Sequence, residues 1–234
     1  MKRSKLALGL ATSAVVAVAT AVFVDRVQKV RDAASASKCN GNFTGISVVM
    51  RDYHERHGHL PPAFVPGKDG KPAHSWRVLL LEQIDTPTFE AYRFDEPWDG
   101  PNNRKLEDKM PSWYACPADP GGKEKWQTNY FVVVGSDTLF PGSTTVRLDD
   151  IKHPRAETIL IVEAVGQGVH WMEPKDLSFE AMSFERNDPN KPSISSHHRR
   201  KPGVYTVDGS MLWLHDIGPD RLREMLLIKK PDEK

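Results

Sequence analysis

The chain has 234 residues, with 32 lysines and arginines against 31 aspartates and glutamates, for a net charge of +1 at pH 7. That balance leaves no basic face for nucleic acid, so no nucleic-acid partner is expected. Two cysteines without Cys-x-x-Cys spacing exclude a zinc ribbon or a thioredoxin-type motif, and 18 prolines with 16 glycines spread along the chain point to a loop-rich folded domain.

Residues 6–24 (LALGLATSAVVAVATAVFV) carry no charge and follow Lys2, Arg3 and Lys5. A helix of that length would be about 28 Å long, close to the hydrocarbon thickness of a bilayer. The basic flank predicts a cytoplasmic N-terminus by the positive-inside rule. Residues 1–24 are therefore expected to be a single-pass inner-membrane anchor with the rest of the chain in the periplasm. The alternative is a cleaved secretory signal with Ala17-Val18-Ala19 as its processing site. Val22-Phe23-Val24 continue the apolar run past that site and argue for retention. Either way residues 25–234 form one exported domain.

The helical pattern continues beyond the anchor. Val27, Val30, Ala34, Cys39, Phe43, Ile46, Met50 and Tyr53 recur mostly at steps of three and four, one face of an amphipathic helix over 25–57. Gly41 and Gly45 predict a kink near Asn40-Gly41. Gly58 is placed to cap the helix, and Pro61-Pro62 stops it. Ser75–Ile84 predicts a short buried helix. Asn129–Val134 and Thr158–Val165 are β-branched and apolar enough for central strands. Val204–Val207 and Met211–Leu214 flank Asp208-Gly209, a hairpin signal. Pro219–Ile228 closes the chain as a short helix. The expected fold class is α+β, with one long N-terminal helix packed on a small, mostly antiparallel sheet.

In an exported domain the lone pair Cys39 and Cys116 reads as one disulfide, which would stabilise the fold by about 4 kcal/mol on the chain-entropy model. Two buried free thiols are the other reading.

A set of stretches in fixed order carries a family resemblance. They are Cys39-Asn40 with Ile46; Tyr53-His54 with His57-Gly58 and Leu60-Pro61-Pro62; Ser75-Trp76-Arg77-Val78-Leu79-Leu80; Glu96-Pro97-Trp98 with Asn102-Asn103; Cys116-Pro117; Asn129-Tyr130; Thr158-Ile159-Leu160 with Glu163; Trp171 with Glu173-Pro174; His197-His198; and Asp208-Gly209-Ser210. The chain resembles type IV pilins and the pseudopilins of type II secretion. More specifically, it is similar to a bacterial family of unknown function, abundant in planctomycetes and loosely labelled solute-binding-protein-like, that joins a pilin-like N-terminus to an exported domain. The resemblance implies a structural or interaction protein in a secretion-type or envelope assembly. The chain departs from it in two respects, one being that the Gly-rich turn usual after the family's His is replaced by Arg199-Arg200-Lys201-Pro202-Gly203. Gly9 is followed by Leu10 and residues 6–24 contain no Glu, so the prepilin peptidase site of pilin-like members is absent and filament assembly is not implied.

Two groups of residues have chemistry to offer. His54, Glu55, His57 and His59 are dense in metal-capable side chains, but the HExxH spacing is missing and basic groups at a helix C-terminus offset its dipole without a metal. Glu163, His170, Trp171, Glu173, His197, His198 and Asp208 form the candidate ion or ligand cluster. Glu163 lies inside an otherwise apolar strand and needs a partner there, which His197, His198, Arg77 or a loop amide would supply. Leu160 is expected to face the long helix and Glu163 the opposite side. No cofactor is expected beyond a metal ion at this cluster. No nucleophile elbow or dinucleotide fingerprint occurs, so a binding module ranks above a metal-dependent hydrolase.

Overall fold

A computed structural model describes residues 2–119, 121, 125–198 and 202–229, with side chains from residue 19 onward. Helix α1 (Lys2–His57) runs without a break through the expected kink. Gly45 has a different use: a Cβ there would lie 3.0 Å from the ring of Trp113, so the bare backbone admits that side chain against the helix. Gly58 ends α1 at a positive φ of 77°, its N–H bonded to the His54 carbonyl at 2.8 Å. No helix among the described residues is long and apolar enough to cross a membrane. The expected span, residues 6–24, falls mostly on residues whose side chains lie outside the described ones.

The first half of the domain is a frame of short elements. Strands β1 (Phe64–Pro66) and β2 (Pro72–Ser75) pair antiparallel. Where one helix was predicted, α2 (Trp76–Leu79) and α3 (Leu81–Ile84) follow, and then α4 (Thr86–Ala91). Arg77 explains the fully buried helix start. Its Nη2 bonds Asp176 Oδ1 at 2.6 Å, and the pair sits at 0 % and 2 % side-chain exposure.

The main sheet has the order β3-β5-β7-β8 and is antiparallel throughout, as the α+β reading expects. Its strands are β3 (Tyr130–Phe131), β5 (Ile159–Glu163), β7 (Gly203–Thr206) and β8 (Met211–Trp213). The strand expected over 129–134 is split. After Phe131 the Val132 N–H turns to Asp176 Oδ1 at 3.0 Å, and β4 (Val133–Val134) pairs in parallel with β6 (Leu177–Ser178) instead.

The sheet is covered on both faces. Phe43, Ile46, Val49 and Met50 of α1 pack against Tyr130, Ile161 and Tyr205 on one side. Leu222, Met225 and Leu226, on or next to α5 (Pro219–Met225), pack with Phe131, Val162 and Val204 on the other. The face assignment of β5 is thereby corrected. Ile161 and Glu163 look toward α1, because Glu163 is paired with Tyr130 and Ile161 with Tyr205, and both tyrosines contact Phe43. A register break between Ile159 and Ile161 brings Leu160 into the same core, so strict alternation fails there.

Candidate metal centre

The expected disulfide is not formed. Cys39 and Cys116 are both free and buried, with sulfurs 3.9 Å apart, where a bond requires about 2.05 Å. Two further polar side chains meet the sulfurs instead. The helix-facing end of β5 delivers Glu163 to the pair, and the segment before β7 delivers His198. These four residues form a buried group whose ligand atoms all lie within 4.8 Å of one another.

Each ligand comes from a different part of the chain. Cys39 opens the buried face of α1 and is 1 % exposed. Cys116 follows a 3-10 turn (Ser112–Tyr114), its N–H held by Asn129 Oδ1 at 2.7 Å. Glu163 is 0 % exposed. His198 Nε2 approaches Cys116 Sγ at 3.4 Å and Glu163 Oε1 at 3.9 Å. Two outer groups hold Cys39: Tyr130 Oη lies 2.9 Å from its sulfur, and Asn42 Nδ2 donates to Tyr130 Oη at 3.2 Å and to the Ala115 carbonyl at 3.0 Å.

The electrostatics are those of groups that share too few protons. The hydrogen bond from Cys116 pulls the Cys39 thiol down to about 5, against burial, with His198 adding to the pull. The same bond, reinforced by burial and the Glu163 charge, raises Cys116 above the ordinary thiol range. Burial pushes Glu163 up to about 7, and the charge on Cys39 adds to it. Neither carboxylate oxygen of Glu163 has a partner at hydrogen-bond distance despite full burial; the Cys116 thiol and Ser196 act on it only from farther out, against the upward push of burial. The hydrogen-bond partner expected for Glu163 is therefore not found; His198 is nearby but at 3.9 Å. A carboxylate with two orphan oxygens in a core is costly unless something positive meets it. Two sulfurs, an imidazole nitrogen and a carboxylate form a donor set for a borderline-soft metal ion.

Of the cluster read from sequence, Glu163 and His198 reach this centre and the others are placed elsewhere. His170 stacks on Trp98 at 5.2 Å between ring centroids, and its Nδ1 accepts the Met172 N–H at 3.2 Å. Trp171 is fully buried, with Nε1 donating to the Glu107 carbonyl at 3.0 Å. Glu173 accepts the His170 N–H at 3.3 Å. His197 points to an open cleft of about 510 Å³ shared with Ser195, Ser196 and Asn187. Asp208 accepts from Thr206 Oγ1 at 2.6 Å and from the Ser210 N–H at 3.1 Å, which fastens the β7–β8 turn. The histidines at the end of α1 are also engaged: His54 Nε2 accepts the Leu148 N–H at 3.1 Å and His57 stacks on Tyr53 at 4.1 Å. Sequence reasoning had separated the cysteines from the Glu163–His198 pair. The orphaned acid in an apolar strand was the signal that could have joined them.

No curated protein and no solved structure matches the chain. A family described as protein of unknown function (DUF1559) matches residues 28–164, which include Cys39, Cys116 and Glu163 but stop short of His198. With more than half of its 234 residues matched, the chain belongs to this DUF1559 family of proteins of unknown function.

Proposed function

We propose that this protein is an extracytoplasmic binding module for a transition-metal ion, bound by Cys39, Cys116, Glu163 and His198. One observation supports this above the rest: a fully buried carboxylate with both oxygens unbonded faces two thiols and an imidazole within 4.8 Å. In its charged form such a carboxylate is costly in a core unless a positive partner meets it. The test is metal content. Full-length protein, purified in detergent and dialysed against zinc(II) and then metal-free buffer, should retain one zinc per chain by mass spectrometry. The Cys39→Ser, Cys116→Ser double variant should retain none. Equal metal content in the two proteins would contradict the reading.

A second element concerns placement. The chargeless sequence 6–24 supports a bilayer tether, and Val22, Phe23, Val24 and Val30 on α1 are exposed, clear of the domain core. In this reading the domain is held at the periplasmic face of the inner membrane, pilin-like in its N-terminal helix, and takes part in an envelope or secretion-type assembly. Full-length protein should stay with membranes after carbonate washing. Recovery of a soluble form starting near Thr20 or Val22 would overturn the tether.

A further inference from the structure

Resting on the metal-binding reading, we infer that the ion is zinc(II), held four-coordinate by Cys39 Sγ, Cys116 Sγ, one Glu163 oxygen and His198 Nε2, and that it clamps α1 to the sheet. The distances fit this ion. Two sulfurs at about 2.3 Å from a tetrahedral zinc are about 3.8 Å apart. Here they are 3.9 Å apart, and His198 Nε2 lies 3.4 Å from Cys116 Sγ and 3.9 Å from Glu163 Oε1. The four ligand atoms all lie within 4.8 Å of one another, so side-chain adjustments of about an ångström close the shell.

The donor chemistry narrows the class. Magnesium and calcium take oxygen ligands and would reject two thiols. Copper(I) favours thiolates but gains little from a carboxylate. Two sulfurs with one nitrogen and one oxygen suit tetrahedral zinc. Tyr130 completes the arrangement. Its oxygen receives the Asn42 amide and lies 2.9 Å from Cys39 Sγ, placed to donate its proton to a metal-bound thiolate as an outer hydrogen bond.

The site is also closed, which separates structural from catalytic zinc. All four positions of the shell are filled by protein, and the four residues are between 0 % and 8 % exposed. No place is left for a water to be activated. The position in the fold gives the role. Cys39 is the first buried residue of the described part of α1; residues 19–38 before it are exposed or half-buried. The other three ligands belong to the sheet and the loops around it. The ion would therefore tie down the helix at the place where it leaves the domain.

The test uses full-length protein loaded with cobalt(II) in place of zinc, and hydrogen exchange on the zinc form before and after chelation. A clamp gives the intense visible bands of tetrahedral cobalt with sulfur-to-metal charge transfer, and no spectral change on adding azide. Amides of α1 from Cys39 to Met50 should then exchange about tenfold faster or more once zinc is removed. Bound cobalt with weak octahedral bands, or bands that shift with azide, would show an open site and overturn the clamp while leaving metal binding intact. Unchanged exchange in α1 would also overturn it. Failure of both zinc and cobalt to bind would overturn the metal-binding reading itself. Glu163→Gln, which keeps the shape of the side chain, should still bind cobalt through sulfur but lose at least about tenfold in affinity. Unaltered affinity would remove Glu163 from the shell.

Discussion

The sulfurs of Cys39 and Cys116 lie 3.9 Å apart, too far for a bond and suited to sharing one ligand. Glu163 stands beside them, fully buried, with neither carboxylate oxygen at hydrogen-bond distance from a partner. The pairing makes the effect of one substitution depend on the metal.

Glu163→Met is expected to have opposite signs in two buffers. With a chelator present it removes an orphaned buried acid at nearly constant volume and should stabilise the protein by about 1–2 kcal/mol. With zinc present it removes a ligand and should destabilise. Denaturant unfolding in both buffers reads the two signs; destabilisation in both would show that Glu163 has a satisfied structural role.

The Arg77–Asp176 pair is expected to be the most sensitive polar contact outside the metal centre. Asp176 Oδ1 takes Arg77 Nη2 at 2.6 Å, the Val132 N–H at 3.0 Å and Trp76 Nε1 at 3.2 Å. Asp176→Ala leaves a buried guanidinium and should cost about 3–5 kcal/mol. Arg77→Met with Asp176→Leu should cost less than the two single changes added together, measured as a double-mutant cycle.

Two helix glycines should respond differently to alanine. Gly41 is exposed, with nothing within 4 Å of an added Cβ, so Gly41→Ala should stabilise by about 0.5–1 kcal/mol. Gly45→Ala would press on Trp113 at 3.0 Å and should lose that gain or reverse it. Equal effects in thermal unfolding would mean that the Trp113 contact is not needed.

Much of the frame was legible in the sequence because its causes are local. The three-and-four spacing of Phe43, Ile46 and Met50 gave the buried face of α1, Gly58 its cap, and Asp208-Gly209 the β7–β8 turn. The kink was misread because a glycine's weak propensity is visible in sequence while the distant Trp113 it accommodates is not. The strand over 129–134 was misread because Asp176, far along the chain, captures the Val132 N–H. The cysteines were misread for the same reason: their partners, Glu163 and His198, come together only through the sheet.

His170 sets a pH dependence independent of the metal. Burial lowers its pKa from 6.5 to about 4, and its Nδ1 accepts the Met172 N–H, which requires the neutral ring. A histidine lowered on folding contributes stability that is present above pH 6.5 and is lost as pH falls toward 4, because the unfolded chain takes up the proton first. The expected loss across that window is about 1 kcal/mol for a ring that is only partly buried. His170→Gln should flatten this part of the stability profile. An unchanged acid limb would show that the ring protonates freely in the folded state.

Zinc K-edge X-ray absorption on the zinc-loaded full-length protein tests the central claim most directly. The expected shell has two sulfurs at about 2.3 Å and two nitrogen or oxygen atoms at about 2.0–2.1 Å, four ligands in all. A shell of nitrogen and oxygen alone, or a Cys39–Cys116 disulfide in the same sample, would contradict it.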